Sequence, residues 1–478
     1  MDEKFLLIIK EKLNLSTSSP VVIGFSGGVD SVCLASLFLN TSIAIIIAHF
    51  NHCLRETANR DEEFSREFAK KRNLPFYSEK GNVEQYAADH HLSIEEAARK
   101  MRYEFLFRIA EMNETKKIAV AHHADDQVET ILMHLFRGSG MAGLIGMKSE
   151  TFIPEFHETI SVIRPLLTFW RSEIEIYCHD RGLDFVQDET NFSIAYERNH
   201  IRNKILPYLN SHYPGLSSRV LKLSAILEDE DEFIQQLMTK DWEEICLENH
   251  PDFIRLSREK FNSLKIAIQR RIIRKAVFSL KPMLRNLSFE NVERLIQFSV
   301  SKRPGEIDIQ GNIIAILTDQ EIIFGGKSKD WLEFVYPQVD REIEIISLRD
   351  QILKISQHWQ LEIKIMQSSS DLDIQTRNEF EIFLDLDQIG KENLLLRQKR
   401  DGDRFQPLGM TNGTIKMSDF FINEKLMKDA RKKWPLLTNS AGEIIWIPGF
   451  RPGHNARVTT SSQNIVSFSI TRINERNY

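Results

Sequence analysis

The feature of this chain that most constrains its fold is an alternation of short apolar runs with polar, helix-favouring segments through residues 1–215. Strands that alternate with helices predict a doubly wound parallel α/β sheet. Ligands of such sheets bind at the carboxyl ends of the strands. The apolar runs lie at 21–25, 43–48, 117–121 and 160–163, and the helix-favouring segments at 58–72, 93–112 and 125–136.

The remainder of the chain has a different pattern. Pro214 and Gly215 are typical of a boundary. Helical patterns follow at 220–238, 258–279 and 288–298, then short strands within 307–324, and residues 327–390 are acidic and unassigned. The last part has strand-like runs at 444–447 and 466–470 and one helical stretch at 418–431. We therefore expect an N-terminal catalytic domain at 1–215, a mainly helical domain at 216–325, a mixed connecting segment at 326–390 and a small α+β domain at 391–478.

Composition and charge exclude several classes of protein. No apolar run approaches the ~20 residues that span a bilayer. The four cysteines form no C-x-x-C pair, which indicates a reducing compartment rather than a disulfide scaffold. The net charge is −6, yet residues 391–478 contain 15 Lys+Arg against 8 Asp+Glu, a net +7 that leaves −13 on the rest. A basic C-terminal part fits a polyanionic partner or an ordinary solvated face.

A short glycine-containing loop, Ser26-Gly-Gly-Val-Asp-Ser31, follows the first predicted strand directly. Two adjacent glycines let the backbone approach a phosphate, and the amides of the following helix supply donors. Asp30 suits such an anion pocket if a divalent metal such as Mg²⁺ bridges it to the phosphates. The alternative is an ordinary turn in which Asp30 or Ser31 caps the helix.

The lysine-bearing nucleotide loop G-x-x-x-x-G-K-[ST] is absent. Gly326-Lys327-Ser328 approaches it, but Glu321 stands at its first glycine position. That loop serves cleavage between the β- and γ-phosphates. The Ser-Gly-Gly-x-Asp-Ser pattern instead resembles the PP-loop ATP pyrophosphatases, and the resemblance implies cleavage of ATP between the α- and β-phosphates.

Three further segments carry dense polar groups. His49, His52 and Cys53 lack a nearby fourth ligand for zinc, so hydrogen bonding to a ligand is favoured. Arg99 and Arg102 share a helix face, where they either form surface ion pairs, such as Glu95 with Arg99, or stabilise polyphosphate charge. The third segment is Ala121-His-His-Ala-Asp-Asp-Gln-Val-Glu-Thr130, in which Asp126 and Glu129 line one helix face. It fits a cation site, for Mg²⁺ or a substrate ammonium group, or a simple helix cap.

Later segments suit RNA. The glycine-rich stretch at 137–147 fits a lid or a flexible connector. Residues 188–202 combine Arg198 and Arg202 with the aromatic residues Phe192 and Tyr196. This combination fits a single-strand RNA surface, or aromatic residues that only pack within the protein. Basic residues recur in Arg397-Gln-Lys-Arg-Asp-Gly-Asp-Arg-Phe405 and between Lys425 and Lys433. They fit phosphate contacts or a solvated helix face.

Taken in order, these motifs resemble the tRNA(Ile)-lysidine synthetase family. The segments at 26–31, 49–55, 95–103, 121–130, 137–147 and 188–207 carry the resemblance, and 400–405 with Trp434-Pro435 resemble the C-terminal domain of that family. The resemblance implies a cytoplasmic, bacterial-type enzyme that uses ATP and L-lysine to convert the wobble cytidine of an isoleucine tRNA to lysidine, releasing AMP and pyrophosphate. Whether it forms a homodimer stays open.

The resemblance also implies roles for individual residues. Asp30 would hold Mg²⁺, and Arg99 and Arg102 would offset developing phosphate charge. Asp126 and Glu129 would bind the lysine ammonium groups and help to deprotonate the attacking amine. The predicted ATP-binding residues are Ser26, Gly27, Gly28, Val29, Asp30, Ser31 and His49, and the predicted tRNA-binding residues are Arg198, Arg202, Arg400, Arg404 and Lys432.

Two rival functions remain at this point. Another PP-loop enzyme, such as a tRNA thiolase, would commonly need paired cysteines, and the four here are scattered. A non-catalytic RNA-binding protein with a vestigial nucleotide fold would not need so many ionisable residues in the loops at the strand ends.

Overall fold

The computed structural model describes the chain except for residues 18, 55–56, 187–195, 285, 368–379, 390–392, 409, 411–412, 451, 454–457, 460–461 and 474–478. The chain divides into two compact units, Met1–Lys240 and Asp241–Tyr478. The four domains expected from the sequence, with their finer boundaries, stay a prediction. No helix among the described residues combines the length and apolarity needed to cross a membrane.

The first unit is built on a six-stranded sheet of order β3-β2-β1-β4-β6-β5. Its strands are β1 (Val21–Gly24), β2 (Ile45–Asn51), β3 (Phe76–Lys80), β4 (Lys117–Ala119), β5 (Glu150–Ile153) and β6 (His157–Ile163). All pairings are parallel except that of β5 with β6. The predicted doubly wound parallel sheet is confirmed. The sequence reading missed β3 and β5 because these edge strands are only partly buried and mix polar with apolar residues.

Helices pack on both faces of this sheet, and further helices follow the sheet in the chain. They are α1 (Asp2–Leu7), α2 (Val29–Leu39), α3 (Ala58–Lys71), α4 (Val83–His90), α5 (Ile94–Met112), α6 (Ala124–Phe136), α7 (Met141–Leu144), α8 (Arg171–Asp180), α9 (Tyr196–His200), α10 (Leu206–His212) and α11 (Leu216–Ile245), with π-helical turns at Ile8–Lys12 and Ile201–Ile205. Because side chains alternate along a strand, Val21 and Ile23 of β1 face the core with α2 and α8, whereas Val22 faces the core with α5.

The direction of the chain fixes where polar loops meet. β1, β4 and β6 are parallel neighbours, so their carboxyl ends share one edge of the sheet. Helix α2 follows β1, α6 follows β4 and α8 follows β6. Helix α5 leads back to the start of β4, so its first turns lie at that same edge. Loops distant in sequence therefore converge there.

The second unit begins with an antiparallel sheet of order β7-β8-β11-β10-β9 and three helices. The strands are β7 (Cys246–Asn249), β8 (Phe253–Ser257), β9 (Gly305–Asp308), β10 (Ile313–Leu317) and β11 (Glu321–Gly326); the helices are α12 (Arg258–Ser263), α13 (Ile266–Leu280) and α14 (Phe289–Ser299). The predicted helix at 258–279 is two helices, since Leu264 adopts an extended conformation. The predicted strands within 307–324 are present as parts of β9, β10 and β11.

The rest of this unit is a small α+β region of antiparallel sheets ordered β12-β16-β19-β20, β13-β14-β21-β15 and β17-β18. Its strands are β12 (Ile343–Ile345), β13 (Gln351–Lys354), β14 (Trp359–Gln367), β15 (Glu381–Asp385), β16 (Leu394–Arg397), β17 (Arg404–Phe405), β18 (Ile415–Lys416), β19 (Leu436–Thr438), β20 (Ile444–Trp446) and β21 (Asn464–Arg472), with helices α15 (Leu332–Val335), α16 (Leu386–Ile389) and α17 (Met417–Asn423). The unassigned stretch 327–390 thus supplies α15, α16 and β12 to β15.

The helix predicted at 418–431 was too long. Helix α17 ends at Asn423, and Lys425 adopts a left-handed conformation with φ of 55°. That geometry lets the Leu426 amide donate to the Phe421 carbonyl and turns the chain away from the helix axis. The basic residues after Asn423 therefore do not lie along one helix face.

Leu106 offers a test of how the sheet is held. It is buried on α5 against Gly24 of β1, whereas Leu135 on α6 is 51% exposed. Leu106→Ala should destabilise the first unit by about 3 kcal/mol, because it leaves a cavity, whereas Leu135→Ala should cost under about 0.5 kcal/mol. Amide hydrogen exchange of β1 and β4 peptides measures both. Equal protection in the two variants would contradict this packing.

Candidate active site at the carboxyl edge of the sheet

The loop after β1 is shaped as an anion cradle. Gly27 has φ of +84°, and a Cβ there would lie 3.3 Å from the Phe64 ring. The Ser31 hydroxyl donates to the Gly28 carbonyl at 2.9 Å and accepts from the Ser26 amide at 3.2 Å. Helix α2 begins at Val29 with Gly28 as its N-cap, so the alternative in which Asp30 or Ser31 caps the helix is wrong. The free amides of the first turn point where an anion would bind.

His49 supports this loop from the neighbouring strand. Its Nδ1 lies 2.9 Å from the Phe25 carbonyl oxygen and 3.1 Å from the Ser65 hydroxyl. Burial lowers the pKa of His49, which favours the neutral ring. This geometry positions the loop, and direct contact of His49 with ATP stays a prediction.

Asp30 projects from the first turn of α2 towards two basic groups. One carboxylate oxygen accepts from the Arg171 guanidinium. The other, Oδ1, lies 4.0 Å from His123 Nε2 and is buried without a hydrogen bond among the described residues. Burial raises the pKa of Asp30 and outweighs the opposing effects of His123 and Arg171. Asp30 thus keeps one oxygen available to a cation.

His123 joins the first and third loops. It precedes α6, and its ring lies 3.4 Å from Asp125 and 3.5 Å from Asp126. Burial opposes protonation, but Asp125, Asp126 and Asp30 outweigh it and raise the pKa of His123. The His123 ring therefore lies between the carboxylates around the loop.

Two acidic and two basic side chains form what we call the carboxylate–arginine cluster. Asp126 and Glu129 lie on α6, Arg198 lies on α9, and Arg202 lies in the π-helical turn that follows. Both guanidinium groups contact both carboxylates, with Arg198 Nε 2.8 Å from Glu129 and the terminal nitrogens of Arg198 and Arg202 each 3.0 Å from Asp126. Glu129 is 1% exposed. Burial tends to raise the pKa of Asp126, but His123 and Arg198 hold it below its usual value. The structure thus joins residues for which the sequence predicted separate lysine and tRNA roles.

Arg99 and Arg102 lie near the start of α5 beside the Tyr103 ring, their guanidinium carbons 4.8 and 5.6 Å from its centroid. No ion pair joins Glu95 to Arg99, although both residues are described. The Nε atom of Arg102 is buried without a hydrogen-bond partner in the described structure. The surface ion-pair interpretation therefore has no support in the structure, and an anion-binding role is consistent with it.

A divalent metal fits Asp30 but not a protein-only cage. Among the described residues, no group of three or more His, Cys, Asp or Glu side chains is arranged to hold a metal. The available Asp30 oxygen beside the phosphate-binding amides matches the way Mg²⁺ is usually held, by one or two carboxylates together with substrate phosphates and water.

The predicted C-terminal tRNA contacts are of two kinds. Arg404 donates to Thr414 at 2.6 and 2.8 Å, and Lys432 is exposed. Arg400 instead pairs with Glu342. Lys425 and Lys433, also basic in the sequence pattern, pair with acidic side chains.

Sequence reasoning missed Arg164 and Arg171. Both residues follow β6, at the same edge of the sheet as the PP-loop. The apolar run at 160–163 predicted a strand there, and the loop after that strand could have indicated both arginines. Some of the predicted segments lie outside the described residues. They are Arg55 at the end of the second loop, residues 188–191, Phe192 and the side chain of Tyr196.

Comparisons with known proteins agree with this geometry. Residues 1–209 match the family model described as PP-loop domain, and residues 394–468 match the TilS substrate C-terminal domain. The chain is 30% identical to tRNA(Ile)-lysidine synthase of Dehalococcoides mccartyi (strain CBDB1), over 98% of both chains. It is 31% identical to the protein of that name from Geobacter sulfurreducens (strain ATCC 51573 / DSM 12127 / PCA), over 95% of this chain and 93% of the relative.

The similarity to these proteins extends over both units, and it includes every strand-end loop that forms the edge site. The chain belongs to the tRNA(Ile)-lysidine synthase family.

Proposed function

We propose that this chain ligates L-lysine to carbon 2 of the wobble cytidine in a CAU-anticodon isoleucine tRNA, with cleavage of ATP to AMP and pyrophosphate. The observation that carries this proposal is one edge of a sheet that places an anion cradle beside a cluster with both carboxylates and guanidinium groups. Membership of the lysidine synthase family supports the choice of reaction. The paired cysteines expected of a thiolase are absent from the sequence.

The chemistry requires activation of the base. Oxygen 2 of cytosine is a poor leaving group, so it first attacks the α-phosphorus of ATP and displaces pyrophosphate. The ε-amine of lysine then attacks carbon 2, loses a proton, and AMP departs with oxygen 2. Because the target base must reach the protein interior, we expect it to be splayed out of the anticodon loop.

The cradle of Ser26, Gly27, Gly28 and Ser31 is assigned to the phosphates of ATP, with the buried Val29 contributing through its backbone. Asp30 would hold Mg²⁺, which would neutralise phosphate charge. Its Oδ1 is buried without a partner in the described structure, and this supports the assignment. Arg171 now contacts the other oxygen and would keep the carboxylate oriented.

The carboxylate–arginine cluster is assigned to lysine. A free amino acid carries both an ammonium and a carboxylate, and this cluster offers partners for both. Asp126 and Glu129 would accept from ammonium groups of lysine, and Arg198 and Arg202 would bind its α-carboxylate in bidentate fashion. Asp126, whose pKa is held low, would stay ionised and accept the proton of the attacking amine.

Other assignments concern tRNA and location. We assign a phosphate-binding role to Arg99 and Arg102, because no carboxylate of the described residues pairs with them. Arg404 and Lys432 would contact the tRNA backbone. The ion-paired Arg400 would have to exchange Glu342 for a phosphate. We expect the enzyme to act in the cytoplasm, where it would meet both a tRNA substrate and ATP.

Asp30→Ala should abolish pyrophosphate release, by at least about a hundredfold, because the metal-bound phosphates lose their anchor. The dissociation constant for tRNA should stay within about threefold, since Asp30 lies within the ATP pocket. Pyrophosphate is measured by a coupled assay and tRNA binding by filter retention. Glu79→Gln, which breaks an exposed ion pair with Arg108, is the control. Full pyrophosphate release from Asp30→Ala would remove Asp30 from the metal role.

Asp126→Asn should separate the two half-reactions. Adenylation of tRNA should persist, whereas incorporation of labelled lysine should fall by about a hundredfold or more, because the variant loses a charge that binds and deprotonates the amine. The adenylated tRNA is trapped by acid quench and resolved by mass spectrometry. The matched control is Asp125→Asn, which alters the adjacent carboxylate that accepts from the Arg171 amide. Normal lysine uptake by Asp126→Asn would refute the assignment.

A further inference from the structure

Buried polar atoms without hydrogen-bond partners concentrate at one place on the edge of the sheet. Within the described part of the chain, they include Arg102 Nε, Tyr103 OH, His122 Nδ1 and Arg164 Nε. Buried polar groups are normally hydrogen-bonded. The Tyr103 hydroxyl lies close enough to the Arg164 guanidinium to interact with it. Arg102 Nε and His122 Nδ1 have no such partner among the described residues, which indicates that something else completes the site.

Chain topology explains why these four residues meet. Arg102 and Tyr103 lie on α5 near the edge, His122 follows β4, and Arg164 follows β6 directly. Tyr103 lies close enough to Arg102 and Arg164 to affect the pKa of both. His122 likewise lies within the electrostatic reach of both arginines. We call Arg99, Arg102, His122 and Arg164, with Tyr103, the arginine pocket.

The guanidinium groups of Arg102 and Arg164 have no acidic partner among the described residues, although Asp126 interacts electrostatically with His122. Arg164 is 5% exposed and uses one terminal nitrogen for the Lys148 carbonyl and the Thr151 hydroxyl, both at 2.9 Å. No acidic side chain of the described residues forms an ion pair with Arg102 or Arg164. Elsewhere, the buried Arg397 pairs with Asp403. A guanidinium stays ionised at any physiological pH and is costly to bury alone, so this pocket is built for an anion.

Its position separates it from the PP-loop. His123 faces Asp30 of the PP-loop, whereas the adjacent His122 lies near Arg102 and Arg164. Helix α2, which carries the PP-loop, packs on one face of the sheet, and Tyr103 of α5 packs on the other. The ATP phosphates already have the amides of α2 and Asp30. The pocket therefore suits a different phosphate.

We propose that the arginine pocket binds the RNA phosphodiester next to the target cytidine, and that Arg164 is its innermost binding residue. The proposal rests on the proposed function, in which a nucleotide is splayed out of the anticodon loop. A splayed nucleotide exposes its backbone, so a buried cationic anchor would fix the base relative to the ATP α-phosphorus. From the sequence, Arg99 and Arg102 are expected to offset developing phosphate charge. Because α5 packs on the face of the sheet opposite α2, an RNA phosphate is favoured over the phosphates of ATP.

Arg164→Met tests the proposal, with tRNA whose phosphodiesters on the 5′ or 3′ side of the target cytidine are replaced singly by a neutral methylphosphonate. In the unaltered protein, one replacement should raise the KM for tRNA by about tenfold or more. With natural tRNA, Arg164→Met should raise the KM for tRNA by a similar factor. In this variant, the methylphosphonate should cause no further increase in the KM. The KM for ATP should change by less than about twofold. Arg164→Lys, which keeps the charge, should recover part of the affinity.

Arg108→Met is the matched control, because Arg108 lies on the same helix but is exposed and paired with Glu79. It should leave every constant unchanged and keep the full sensitivity to methylphosphonate. Thermal melting of each variant separates loss of binding from loss of fold. If Arg164→Met raises the KM for ATP and remains fully sensitive to each methylphosphonate, the pocket binds the polyphosphate and the proposal is wrong. Absence of lysine transfer by the unaltered protein would instead refute the proposed function.

Discussion

The site depends on the parallel pairing of β1, β4 and β6, which aligns three carboxyl ends at one edge. Each strand is followed there by a residue with a charged side chain that meets its counterparts from the other loops. Asp30 comes from the segment after β1, His123 from the segment after β4 and Arg171 from the segment after β6. The buried faces of the strands set this alignment, because a shift of one residue would exchange the faces of a strand.

Charge at the edge is arranged in three adjacent groups. Around Asp30, Arg171 and His123 face one carboxylate, of which one oxygen has no hydrogen-bond partner among the described residues. In the carboxylate–arginine cluster, two acids balance two guanidinium groups. In the arginine pocket, the guanidinium groups of Arg102 and Arg164 have no ion-pair partner within the described residues. The charge around Asp30 suits a metal-bound polyphosphate, and the charge of the carboxylate–arginine cluster suits a zwitterionic amino acid. The charge of the arginine pocket suits an RNA phosphate.

Much of the fold could be predicted from residue pattern. The four apolar runs of the first unit correspond to β1, β2, β4 and β6, and the helices at 58–72, 93–112 and 125–136 match α3, α5 and α6 within two residues. Edge strands such as β3 were missed because they mix exposed and buried positions. The helix predicted at 418–431 was too long because the left-handed residue that ends it is Lys425, not the glycine that usually marks such a turn in a sequence.

By itself, the sequence determined the parallel sheet, the loop with adjacent glycines and the set of ionisable residues near it, because apolar periodicity and glycine act locally. Only the tertiary structure decided which charges meet. Glu129 and Arg202 are 73 residues apart and share a contact, and Arg164, which follows β6, interacts with Tyr103 of α5. Such pairings depend on strand order and on which face each side chain occupies, and neither can be read from a local pattern of residues.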